Sequence, residues 1–123
     1  MAIHIDMAKR FAANQRGSGT NHTVTSHGDV STYILFGNVI ATLDHKTNTL
    51  KLYNCGYETV STAKPLNAIL AEVPFARKWK LKSWVLTDPH GNKHEWVEGF
   101  TIRPDNAVGE DTTSGLAPAL GDR

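Results

Sequence analysis

Three features of the chain have residue types and spacings that suit chemistry. The first is the stretch 54–70, NCGYETVSTAKPLNAIL, which sets the only cysteine, a glycine, a tyrosine and a run of hydroxyls before an apolar helix. A thiolate at a helix N-terminus has its pKa lowered by the dipole, and a histidine beside it completes a nucleophilic pair. Cys55 stands six residues before Ser61, the earlier of the two candidate caps Ser61 and Thr62, so the dipole is not aimed at it. No Cys-x-x-Cys pattern accompanies it. Cys55 therefore reads as a small apolar residue closing a strand, Gly56 as its turn, Tyr57 as an edge packer, and Ser61 or Thr62 as the helix start.

The histidines are the second feature. There are six, at positions 4, 22, 27, 45, 90 and 94. His90-Gly-Asn-Lys-His94 has the i, i+4 spacing of a two-histidine metal pattern, but that pattern works on a helix, where both rings share a face. Pro89 and Gly91 make this segment a turn, and nothing fixes His22, His27 and His45 around a common point. Solvated loop histidines are the expectation, with no metal and no cofactor.

The third feature is the basic run RKWKLKSW. Arg77, Lys78, Lys80 and Lys82 are interleaved with Trp79 and Trp84. On a strand, Lys78, Lys80 and Lys82 project from one face and Trp79 and Leu81 from the other. Lysines in a row with an aromatic at hand suit a single-stranded nucleic acid, following phosphates and stacking bases. The competing reading is an edge strand protected by lysines, with Trp79 turned into the core, and the alternation favours it. There is no phosphate-binding loop, dinucleotide fingerprint or paired-carboxylate spacing.

The elements that must position these residues are legible in part. Residues 1–21 hold a possible short helix, IDMAKRFAANQ, then RGSGTNHT, rich in glycine and small polar residues, and read as a flexible arm. Residues 22–103 are the folded domain. Two β-rich runs, Tyr33–Phe36 and Val39–Leu43, flank Gly37-Asn38, which predicts a type II′ hairpin or a glycine bulge within one longer strand. DHKTNT supplies turn formers, and LKLYNC returns as an alternating strand. Leu66, Ile69, Leu70 and Val73 follow one buried stripe and predict a helix over Thr62–Val73, with Pro65 in its first turn and Pro74 as its stop. A second hairpin is expected from Trp79–Thr87 and His94–Arg103 around DPHGNK. Residues 104–123, with Asp105, Glu110, Asp111 and Asp122, read as an acidic, flexible tail.

Composition bounds the rest. The chain has 123 residues, 40% hydrophobic and 20% charged, with a net charge of +1, so one soluble domain is expected and bulk charge announces no nucleic-acid partner. No run reaches the roughly 18 apolar residues of a spanning helix. A lone cysteine fits a reducing, cytosolic setting.

The central segment, Gly37 to Leu70, resembles a family of small, mostly uncharacterised tailed-bacteriophage proteins. The resemblance lies in Gly37-Asn38, Ile40-Ala41, Gly56-Tyr57, the hydroxyl-rich cap from Thr59 to Thr62, and Lys64 with Asn67 ahead of the aliphatics. It covers about a third of the chain and departs from the pattern at Pro65, where a polar residue is usual. It implies a phage-encoded protein acting in the host cell cytoplasm, and it carries no activity with it.

The fold expected is α+β: an antiparallel sheet of four to five strands in two hairpins, with one main helix packed on it. Its core should hold Tyr33, Leu35, Val39, Ala41, Leu50, Leu52, Leu66, Ile69, Leu70, Trp84, Leu86, Trp96 and Phe100. The function expected is that of a non-enzymatic phage accessory protein binding a host or phage protein. The alternative is a single-stranded nucleic-acid binder using Arg77, Lys78, Trp79, Lys80 and Lys82. No membrane partner is expected.

Overall fold

Alternating apolar residues joined by two-residue turns build most of this molecule. The structure, a computed structural model, describes residues 3–104. Six antiparallel strands form one sheet in the order β1-β2-β3-β4-β5-β9. These are β1 (Gly17–Gly19), β2 (His22–His27), β3 (Val30–Leu35), β4 (Asn38–Asp44), β5 (Thr49–Leu52) and β9 (Phe100–Ile102). A second sheet of three strands, β6 (Lys80–Lys82), β7 (Val85–Thr87) and β8 (Lys93–Glu95), stands apart from it. Helices α1 (Ile3–Ala12) and α2 (Val60–Glu72) pack on each other, α1 covering β2 and β3 and α2 reaching β6. The α+β class stands. The expected single sheet becomes two because β9 pairs with β5, while β6, β7 and β8 pair only with one another.

The first expected hairpin forms, with its turn one residue earlier than read. Leu35 pairs with Asn38, which leaves Phe36 and Gly37 as the loop, at φ +50° and +78°. Two positive φ values make this a type I′ turn, whose twist matches that of the strands. A β-bulge between Tyr33 and Ile34 then changes the phase of β4: Tyr33 faces Ala41 and Ile34 faces Val39, with Ile40 extra. Ile40 and Ala41 are consequently both buried, while Val39, expected in the core, is 38% exposed. The remaining expected core residues are buried, except that Trp84 and Trp96 are half-buried, ring against ring at 5.0 Å and 82°.

The flexible arm expected over residues 1–21 is corrected. Its helix is α1, which buries Met7, Ala8 and Phe11, and Phe11 meets the edge of the fully buried Tyr33 at 6.3 Å. The glycines taken for a link are β1, and the close approach of α1 explains them: a Cβ on Gly19 would run into Ile3 Cδ1. Asn14, just past α1 at φ +57°, ties the helix to the β2–β3 hairpin. Its Oδ1 accepts from Ser26 at 2.7 Å and Ser31 at 3.1 Å, and its Nδ2 donates to Gly28 O at 2.9 Å. The tail expected over residues 104–123 lies, from Asp105 on, outside the described residues.

Helix α2 keeps the predicted stripe of Leu66, Ile69, Leu70 and Val73, all buried. It starts at Val60, with Thr59 as N-cap, so Pro65 falls in the second turn rather than the first. The second hairpin is also corrected. Trp79–Thr87 is not one strand but a hairpin of its own, turning at Ser83 and Trp84, which both have positive φ. The turn DPHGN does join β7 to β8, but β9 leaves that sheet to pair with β5. One side chain ties the small sheet to α2. Asn67 Oδ1 accepts from Leu81 N at 3.1 Å and its Nδ2 donates to Leu81 O at 3.0 Å, filling the place of a neighbouring strand on the edge of β6.

Asn67→Ala leaves both backbone groups of buried Leu81 without partners and should cost about 1–3 kcal/mol. Asn67→Asp should do no better, since it keeps the acceptor but sets a carboxylate against Leu81 O. The check is the urea midpoint at an unchanged slope; a variant as stable as the parent would refute this role for Asn67.

Candidate functional site, a cleft at the start of helix α2

The corner between β5 and α2 is made by Asn54, Cys55 and Gly56, the last two at φ +55° and +84°. Asn54 Oδ1 accepts from Gly56 N at 2.8 Å, an Asx turn that needs no other support locally. A distant carboxylate fixes it further. Glu98 accepts from Asn54 N at 2.7 Å, Cys55 N at 2.9 Å and Trp96 Nε1 at 2.8 Å. The β4 bulge takes part as well, its free carbonyls at Val39 and Ile40 accepting from Cys55 Sγ and from Tyr53 N.

This corner and the Phe36–Gly37 turn form the two sides of a cleft of about 330 Å³. Leu35 and Ile40 lie at its apolar side, Phe36 and Tyr57 flank it, and Thr59, Ser61 and Thr62 bring the start of α2 to it. Phe36 is 59% and Tyr57 57% exposed, large values for side chains of this size. Val39 and Val60, chain neighbours of the cleft residues Asn38, Ile40, Thr59 and Ser61, are exposed as well. The N-cap Thr59 makes no side-chain cap bond, so the first N–H groups of α2 lack the usual oxygen. Asn54 also lines the cleft and is only 3% exposed; among the described residues its Nδ2 has no partner.

Cys55 itself is exposed rather than packed as a small apolar residue. What burial it has, and then the Glu98 carboxylate, push its thiol above the ordinary value. That is the opposite of what a nucleophile at a helix N-terminus needs.

The histidines do more structural work than solvated loops would. His22 Nδ1 lies 2.7 Å from Tyr33 Oη, and His45 Nε2 lies 2.7 Å from Ser31 Oγ. His94 Nε2 lies 3.0 Å from the buried Asp88, and its ring packs against both Trp79 and Phe100. No group of three His, Cys, Asp or Glu side chains with metal-site spacing occurs among the described residues. Burial acts to raise the Asp88 carboxyl, but hydrogen bonds from His94, Asn92 and His90 outweigh it and leave the pKa lowered.

The basic run divides as its alternation predicts. Arg77, Lys78, Lys80 and Lys82 are exposed, and no ion pair holds any of them among the described residues. Trp79 is 3% exposed, edge-on to Phe100 at 5.7 Å, and is core. Two residues that line the cleft, Phe36 and Asn54, and Glu98 behind its corner escaped the sequence reading as functional. A Gly-Asn pair marks the turn but not that a phenylalanine will occupy its left-handed position, and no local pattern joins Glu98 to a corner 44 residues away.

Two outcomes follow from these environments. Cys55 should alkylate more slowly near neutral pH than a free cysteine, despite its exposure, and Glu98→Gln should speed it; equal rates in the parent and a model thiol would contradict this. Asp88, whose folded pKa lies below its ordinary 3.8, contributes stability that is complete above that value and is lost as pH falls through the folded pKa. Asp88→Asn should therefore lower the unfolding free energy, read from urea melts, by more at pH 5 than at pH 2, about 1–3 kcal/mol at the higher pH.

The family model for Kyanoviridae Gp96 protein matches residues 1–103. No curated protein and no solved structure matches the chain. The matched span includes α1, both sheets and every residue of the cleft, and takes in the segment whose pattern resembles tailed-phage proteins. The chain belongs to the Kyanoviridae Gp96 protein family and is a phage protein.

Proposed function

We propose that this phage protein is a non-enzymatic accessory protein that binds a host or phage protein through the Phe36–Tyr57 cleft, in the cytoplasm of the infected cell. The observation that carries the reading is the conformation of Phe36. A type I′ turn favours Asn, Asp or Gly where Phe36 stands. A bulky residue held at φ +50° costs on the order of 1–3 kcal/mol, and here its ring is left in solvent. An aromatic that contributes nothing to the core and strains its turn is explained by a contact outside the chain. Tyr57, equally exposed, lines the same cleft.

The nucleic-acid reading has the exposed Lys78, Lys80 and Lys82 in its favour. Trp79 faces away from them into the core, so stacking at that position has no accessible ring. Lysines on the edge of a short sheet are accounted for by protection against edge pairing.

Phe36→Asn tests the proposal directly, because it converts the turn to Asn-Gly. It should leave the protein at least as stable as the parent. Tagged full chain should capture a stoichiometric protein from infected-cell lysate, and Phe36→Asn and Tyr57→Ala should each weaken that capture about tenfold or more. Lys80→Ala with Lys82→Ala should leave it unchanged. Capture that survives both aromatic substitutions would overturn the proposal, and nuclease-sensitive capture lost with the lysines would favour the alternative.

A further inference from the structure

We infer that the cleft at the start of α2 takes the terminal carboxylate of a partner chain ending in an apolar residue. The inference rests on the binding role proposed for the Phe36–Tyr57 surface and names what that surface recognises. Two independent observations meet in the cleft. The thirteen-residue helix α2 begins there with no side-chain cap, and while Thr62 N reaches Thr59 O at 3.2 Å, the N–H groups of Val60 and Ser61 have no acceptor among the described residues and lie at the positive end of the helix dipole. Asn54 lines the same cleft almost wholly buried, its Oδ1 used by Gly56 N and its Nδ2 without a partner among the described residues. A buried amide donor left unpaired is costly, and a bound acceptor removes that cost.

The charge of the occupant follows from what surrounds these donors. Among the described residues neither lysine nor arginine lines the cleft, which suits a single negative charge shared among N–H and O–H groups rather than a phosphate dianion. The carboxylate of Glu98 behind the corner is already engaged by three N–H groups. The other half of the cleft is apolar, with Leu35, Ile40 and the rings of Phe36 and Tyr57. A C-terminal residue carries a carboxylate and an apolar side chain on one carbon, and so meets both halves within about 330 Å³. An acidic residue inside a chain would need room for backbone to enter and to leave.

The test is a heteronuclear NMR titration of the isotope-labelled full chain with N-acetyl-leucine, N-acetyl-leucinamide and inorganic phosphate as probes. N-acetyl-leucine should shift the Asn54 side-chain amide and the Ser61 backbone amide saturably, with the leucinamide and phosphate weaker by about tenfold or more. Asn54→Asp keeps the acceptor for Gly56 N while replacing the donor with a like charge, and should abolish the response. Tyr57→Ala, at an exposed position, should weaken it while leaving the fold intact. Equal responses to acid and amide, stronger binding of phosphate, shifts confined to other surfaces, or no shift at all would each overturn the inference. No response in the cleft together with aromatic-dependent protein capture would overturn this inference alone. Capture indifferent to Phe36 and Tyr57 would overturn the binding role beneath it.

Discussion

The Glu98 carboxylate holds the site together. It takes the N–H groups of Asn54 and Cys55 at 2.7 and 2.9 Å and the indole of Trp96 at 2.8 Å, joining β5, the α2 entry and the segment between β8 and β9. Charge-assisted bonds of this kind are about twice as strong as neutral ones. Their geometric effect matters more than their energy. With two adjacent N–H groups turned outward to Glu98, the chain passes through left-handed Cys55 and Gly56 and delivers α2 with its open end beside the Phe36 turn. The cleft exists because that corner cannot relax.

Asparagines do comparable work at three joints, each by imitating backbone. Asn67 offers β6 the donor and acceptor of a missing strand. Asn14 gathers two serines and a carbonyl of the β2–β3 hairpin at the end of α1. Asn54 closes its own turn and has half of its amide to spare. A carboxamide suits these places because it donates and accepts on one planar group, which neither a hydroxyl nor a carboxylate does in the same way. In a small domain whose described residues form two sheets and two α-helices, such groups satisfy edges that more chain would otherwise cover.

Long periodic elements were legible in the sequence, and the reasons for the misses are local. The α2 stripe from Leu66 to Val73 and the Tyr33 hairpin follow from spacing alone. The strands β6 to β9 have three residues each, below the length at which period two can be told from chance. Glycines at 17 and 19 read as a link because the α1 side chains that require them are known only once the helix lies over the strand. The exposure of Val39 depends on a bulge that nothing in STYILFGNVIATLDH marks. As for the site, Gly56-Tyr57 and the hydroxyl-rich cap were visible as punctuation, but the partner that makes the corner, Glu98, comes from 44 residues away.

Four departures from local rules gather at the cleft. Phe36 and Cys55 hold positive φ without being glycine, Thr59 caps nothing with its hydroxyl, and Asn54 buries a donor without an acceptor. All four lie along one side of the molecule, at the cleft or its rim. Ser83 and Trp84 show that strain alone does not mark a site, since their left-handed turn is repaid within the protein by the Trp84–Trp96 contact. Phe36 has no such ring-to-ring contact among the described residues. Natural sequences tolerate a departure from local preference where something else requires it, and a cluster of departures around an open apolar cleft locates that requirement outside the chain.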